Sequence, residues 1–294
     1  MAKEIKGILS ALPTPFAEDG SIDEELLRRV VDRNVNAGIN VLVAGGGTGE
    51  FMSLSTAERK RVYEVVADQA AGRVPVVAHT GAITTAEAVE LTAAAKDAGA
   101  DVIMLVSPYY EPLSKKELDL YIKTVVESTD LPVMLYNNPG TTGISYTAAE
   151  LAAYGRQYEN VKYVKDSSKD WEQALRLIYL YKDDISLICG WDSFSFSAFL
   201  EGAVGVMAGA ANVVPDEIAA VYQAIESGDI VGAKKLWEKL FPVLDTMVDL
   251  PFTQAVKAGM RLRGEPIGSV RQPLLDLEPE DEEKLAKALE ALTA

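Results

Sequence analysis

The chain is poor in the residues from which disulfides and metal centres are made. It has one cysteine, Cys189, and one histidine, His79, among 294 residues. A lone cysteine excludes an intramolecular disulfide and a cysteine-rich metal site, and a lone histidine cannot build a metal centre by itself. Basic residues are scarce too, 28 against 44 acidic, for a net charge of −16. With no basic tail or stripe to offset that balance, the composition argues against nucleic acid or an anionic membrane as a partner. An anionic substrate must then be held by local donors against the overall field. No apolar run is long enough to span a bilayer, and the opening Met1-Ala2-Lys3-Glu4-Ile5-Lys6 lacks the apolar stretch of a signal peptide. The expectation is a soluble protein of a reducing cytoplasm. What the chain does hold is core-forming material, 48% hydrophobic and 24% charged.

Strand-like and helix-like segments alternate along it. Short apolar, β-branched runs predict strands at 7–12, 40–44, 74–79, 101–106, 132–136, 161–165, 185–189 and 203–208. Leu26, Leu27, Val30, Val31 and Val35 at helical spacing predict a helix over 23–37, and Ser55 with Glu58 is a capping-box signature for the next. Further helices are expected from about 84, 114, 147 and 171, and then at 216–227, 230–248, 252–263 and 279–292. Nearly continuous apolar strands predict a parallel sheet buried on both faces. Eight of them favour a closed (β/α)8 TIM barrel over an open doubly wound sheet. Residues 1–228 would form the barrel and 229–294 a C-terminal helical region packed on it.

In such a barrel the chemistry belongs at the C-terminal ends of the strands. Period-2 alternation puts Lys165 on the face of Val161 and Tyr163, so an amine ends an apolar row. Burial disfavours an ammonium, and a lysine that gives up its proton attacks ketones to form a Schiff base. The plainer alternative is a surface lysine at a strand end. Asp166 points to the opposite face by the same alternation, in a structural role. Tyr136 ends the fifth strand. Alone it reads as a core tyrosine; beside a Schiff-base lysine its phenol can move the protons that carbinolamine and enamine formation require.

Gly45-Gly46-Gly47-Thr48-Gly49-Glu50 follows the second strand. It is not a dinucleotide fingerprint, because G-x-G-x-x-G from Gly45 needs glycine where Glu50 stands, and the helix begins late, at Ser55. It is either a tight turn or a concave set of backbone N–H groups that, with the Thr48 hydroxyl, can hold a carboxylate. His79 is read as structural or pocket-lining, and the Trp191-Asp192-Ser193 turn as a helix cap or a pocket wall.

Gly46-Gly47-Thr48-Gly49-Glu50, Ser107-Pro108-Tyr109-Tyr110, Leu135-Tyr136-Asn137-Asn138-Pro139, Val164-Lys165-Asp166-Ser167-Ser168 and Gly205-Val206-Met207 together resemble the dihydrodipicolinate synthase/N-acetylneuraminate lyase family. The resemblance runs in order from about Ile5 to Leu277 and includes Leu250-Pro251-Phe252. It implies a (β/α)8 barrel with a C-terminal helical region, a homotetramer (a dimer of dimers), and class I chemistry on a 2-keto acid without metal or organic cofactor. It makes Lys165 the Schiff-base lysine and Tyr136 the proton-transferring tyrosine. Tyr110 matches a tyrosine that, in the synthases, reaches into a neighbouring subunit's site. Gly47 and Thr48 take the places that hold the keto-acid carboxylate, and Gly190 and Met207 line the pocket.

Two positions depart from the synthases that the resemblance brings in. Their glycine loop carries two threonines, the first in a proton relay with the two tyrosines; here Gly47 stands in its place. They also carry an arginine after the fifth strand that grips the second substrate's carboxylate, where this chain has Thr141. A threonine supplies no bidentate cationic fork, and a charge-assisted contact is worth roughly 1.5–3 kcal/mol. The expectation is therefore a dehydratase or pyruvate-releasing aldolase of a 2-keto-3-deoxy sugar acid. The alternatives are dihydrodipicolinate synthase, condensing pyruvate with aspartate semialdehyde, and a non-catalytic keto-acid-binding protein.

Overall fold

The computed structural model describes residues 4–293. Its eight strands are β1 (Gly7–Ala11), β2 (Val41–Ala44), β3 (Val76–His79), β4 (Val102–Val106), β5 (Val133–Asn137), β6 (Val161–Asp166), β7 (Ser186–Cys189) and β8 (Gly205–Ala208). They pair in parallel in sequence order, and β1 against β8 closes the barrel. The expected (β/α)8 architecture is the one found, with strand ends moved by a residue or two.

Closure leaves no sheet edge, and both faces of every strand are covered. Leu9, Val41, Val43, Val77, Val102, Met104, Met134, Ile188 and Met207 fill the interior. Ile8, Leu42, Ile103, Leu105, Val133, Leu135 and Val164 pack outward against the helical layer. Each fully buried side chain of this kind contributes about 1.5–3 kcal/mol, which is why the strands read as unbroken apolar runs. Helices Thr56–Ala70, Lys115–Val126 and Ala148–Gln157 each open on a capping box, at Ser55/Glu58, Ser114/Glu117 and Thr147/Glu150. Each cap stabilises its helix start by roughly 1 kcal/mol and fixes where the chain turns back from the rim.

One local expectation fails. Val161 does not share a face with Tyr163 and Lys165. The β5–β6 register slips between Val133 and Met134, pairing Val133 with Val161 and Met134 with Tyr163. That bulge places an extra residue, Lys162, out of the alternation, so Val161 packs outward with the helical layer while Tyr163 faces the barrel interior. Beyond the bulge the alternation is regular, and Tyr136 pairs directly with Lys165.

After β8 and the helix Pro215–Glu226, the chain forms helices Ile230–Asp249, Phe252–Leu262 and Pro279–Thr293. Leu285 and Leu289 of the last are buried. The break between the first two brings Val248, Phe252 and Thr253 over the C-terminal mouth of the barrel.

Candidate active site

At that mouth lies a cavity of about 320 Å³, lined by residues from the ends of β1, β2, β4, β5, β6, β7 and β8 together with the 248–253 segment. Among the described residues, Lys165 carries the one basic group lining it and Asp192 the one carboxylate. Gly47, Thr48, Tyr136, Thr141, Lys165, Gly190 and Met207 all line this single space.

Lys165 is buried, 8% exposed, with Nζ 4.1 Å from the ring centroid of Tyr136 and over its face. No carboxylate lies within ion-pair distance of it among the described residues. The Tyr136 hydroxyl accepts a hydrogen bond from Asn138 Nδ2 at 3.1 Å. Gly190 makes room for the lysine. A β-carbon there would sit 3.0 Å from Lys165 Cε and 2.2 Å from Ser167 Oγ, so only glycine lets the stem pass. Asp166 faces away as expected. It accepts from Asn137 Nδ2 (2.9 Å), Ser168 Oγ (3.1 Å) and Gln173 Nε2 (3.2 Å), tying the ends of β5 and β6 to the following helix. Burial raises its carboxyl above the usual range, opposed by these donors.

The glycine loop supplies the opposite wall. Neither Gly47 nor Thr48 donates its backbone N–H to a hydrogen bond among the described residues, whereas Glu50 N–H bonds Gly47 O at 2.9 Å. An amide without a partner is costly where water is excluded; Thr48 is buried, Gly47 is half-buried, and both line a cavity with room for an anion. Asp192 is the residue the sequence left undecided. It is buried and lines the cavity, and it accepts from Ala210 N–H at 2.8 Å. Burial pushes its carboxyl up to about 6, against the opposing pull of that N–H and of nearby Lys165.

His79 is structural and does not line the cavity. Its ring packs 4.4 Å from that of Phe51, and burial together with the Arg59 guanidinium holds its pKa well below the usual value. Tyr110 lies outside the cavity, 83% exposed, so the structure does not bring it to Lys165 within one chain. Sequence reasoning missed Asn138, Ser167, Met52, Met104, Val248 and Thr253 as lining residues. Asn138 and Ser167 sit within two residues of Tyr136 and Lys165, which was the available signal. Nothing local marks Val248 or Thr253, which reach the site only through the fold.

The match to known proteins settles the family. The Dihydrodipicolinate synthetase family matches residues 4–292. The chain belongs to that family. The 4-hydroxy-tetrahydrodipicolinate synthase of Methanopyrus kandleri is 36% identical over 293 residues, 99% of this chain and 98% of its own. A chloride-inhibited dihydrodipicolinate synthase of Acinetobacter baumannii, solved in complex with pyruvate, superposes with a TM-score of 0.93 at 32% identity, with 99% of each chain covered. A prophage protein of E. coli K12 from the dihydrodipicolinic acid synthase family, also complexed with pyruvate, gives 0.94 at 30% identity over 98% of each chain. As a dihydrodipicolinate synthetase family member the chain is a lyase of the class I Schiff-base type. The names of the relatives favour the synthase, placed second by the sequence, over the sugar-acid reading.

Proposed function

We propose that Lys165 Nζ forms an imine with the ketone of a 2-keto acid. The observation that carries this is a buried amine lacking a carboxylate partner, lying over the Tyr136 ring and opening into a cavity. The free amides of Gly47 and Thr48 hold the substrate carboxylate. The neutral Lys165 amine attacks C2; the Tyr136 phenol protonates the C2 oxygen and regains the proton that the nitrogen sheds, giving a carbinolamine. A second transfer from the phenol lets that oxygen leave as water, with a protonated imine and a Tyr136 phenolate remaining. The protonated imine is then the electron sink. The Tyr136 phenolate takes a C3 proton to give an enamine and returns a proton to the C4 hydroxyl, which leaves as water; or it takes the C4 hydroxyl proton as the C3–C4 bond breaks, releasing an aldehyde and leaving the enamine of pyruvate.

For the rest of the substrate, the lining supports a neutral, hydroxylated chain, as in a 2-keto-3-deoxy sugar acid. Asn138, Thr141 and Thr253 offer neutral hydrogen-bonding groups, and no second basic group is present among the described lining residues. The synthase is the second reading, favoured by the relatives' names at 36% and 35% identity. Identity at that level establishes the chemistry of a family more firmly than the residue at one pocket position. We also propose a homotetramer, in which the exposed Tyr110 reaches a second copy's site.

Borohydride reduction after incubation with pyruvate, and separately with 2-keto-3-deoxy sugar acids, tests the imine by mass spectrometry. A reduced adduct on Lys165 is expected, and its mass distinguishes intact, dehydrated and cleaved substrate. Absence of any adduct would sink the chemistry. Turnover of pyruvate plus aspartate semialdehyde exceeding that of every sugar acid would replace the first reading by the second.

A further inference from the structure

Three residues past Gly47, the glycine loop carries Glu50, a fully buried non-glycine residue in the left-handed region at φ 57°. Such a backbone is costly and persists only where the surroundings over-determine it. Here the side chain does so. Glu50 Oε1 lies 2.6 Å from Lys257 Nζ, both side chains at 0% exposure. Glu50 Oε2 accepts the backbone N–H of Arg271 at 2.8 Å. Lys257 also donates to Ser269 O at 2.8 Å, and the Arg271 guanidinium reaches Ser53 O and Glu58. Lys257 and Arg271 lie over Phe16, at 4.4 and 4.2 Å from its ring centroid. The helix that carries Lys257 also carries Phe252 and Thr253 of the cavity wall.

From this we infer that Glu50 and Lys257 are positioning residues for the keto-acid carboxylate. Their buried pair locks the glycine loop to the C-terminal region and so sets the Gly47 and Thr48 amides at the distance a carboxylate needs from the ketone over Lys165. The inference rests on the imine chemistry proposed above. A purely structural pair would have no preference between ketones. A positioning pair matters only for a ketone that bears a carboxylate. The effect is geometric, and misplacement by about an ångström can cost roughly a hundredfold in an oriented reaction.

The test compares borohydride trapping of pyruvate and of acetone, which forms the same imine without a carboxylate. Wild type, Glu50→Gln, Lys257→Met and the double variant are measured, with Leu91→Ala as a control that weakens the core at a distance. The expected result is a fall of roughly tenfold or more in the pyruvate-to-acetone ratio for the Glu50 and Lys257 variants, with the control ratio unchanged. An equal loss for both ketones, or a matching fall in the control, overturns the inference. No trapping in wild type instead removes the imine reading itself. Where the single variants fail to fold, the neutral double variant replaces them. Hydrogen exchange on wild type, with and without the reduced pyruvate adduct, gives a measurement independent of any variant. Residues 47–50 and 257–271 are expected to gain protection together, and protection confined to the loop overturns the inference.

Discussion

Among the described residues two lysines are buried, Lys165 and Lys257, and their surroundings differ in one decisive respect. Both lie over aromatic rings, Lys165 over Tyr136 at 4.1 Å and Lys257 over Phe16 at 4.4 Å. Lys257 has a carboxylate 2.6 Å away and faces no cavity among those described. Lys165 has no such partner and opens into a cavity of about 320 Å³. A buried charge is tolerable when paired. An amine given no partner is left available to form a bond to something else. Burial alone therefore does not mark a reactive lysine; burial without a counter-charge, facing empty space, does.

The sharpest way to break this contrast is to remove each amine in turn. Lys165→Ala is expected to abolish imine trapping and lower turnover by roughly a thousandfold or more, since the nucleophile of a covalent mechanism has no substitute. Its melting temperature is expected to hold or rise. Lys257→Met is expected to do the reverse to stability, costing about 3–5 kcal/mol in denaturant unfolding because Glu50 is left buried without its counter-ion. Equal destabilisation by the two changes would show that the two sites do not differ in the way argued.

Asp192 sharpens the comparison from the acidic side, as a buried carboxylate near Lys165 without an ion-pair partner among the described residues. Its folded pKa of about 6 lies above the ordinary 3.8. The stability it contributes is therefore fully present below pH 3.8 and lost as the pH rises through about 6. Above that, the charged form costs about 3 kcal/mol relative to the unfolded chain. Asp192→Asn keeps an acceptor for Ala210 N–H and removes the cost. Its melting temperature relative to wild type is expected to rise between pH 5 and pH 8, and a flat difference would place the titration elsewhere.

The barrel was legible because it rests on local pattern: apolar strands recur eight times, and three of the helices that follow them open on capping boxes. Lys165 and Tyr136 were legible because strand ends are where such a barrel does its chemistry. The side-chain direction of Val161 was not, since a bulge depends on how β5 and β6 pair rather than on either strand alone. The Glu50–Lys257 pair spans more than two hundred positions and leaves no periodic trace. Val248 and Thr253 likewise become lining residues only when the C-terminal helices fold over the mouth. Long-range closure is the part of the site that pattern reading could not reach.

Gly47→Thr has the smallest expected effect and bears on which substrate the cavity takes. Nothing lies within 4 Å of a β-carbon built at Gly47, so the first atom of the new side chain meets open space, and stability is expected to stay within about 0.5 kcal/mol. The new side chain enters the space beside Thr48 and narrows the cavity, while adding a hydroxyl at the place where the synthases resembled by this chain carry one. For a hydroxylated sugar acid, crowding dominates, and kcat/KM is expected to fall by less than about tenfold. For condensation of pyruvate with aspartate semialdehyde, the added hydroxyl would complete a proton relay and the rate would climb. A gain in condensation large enough to overtake sugar-acid turnover would mean that Gly47 is the only feature separating this chain from the synthases, and that the neutral Thr141 does not exclude an anionic second substrate.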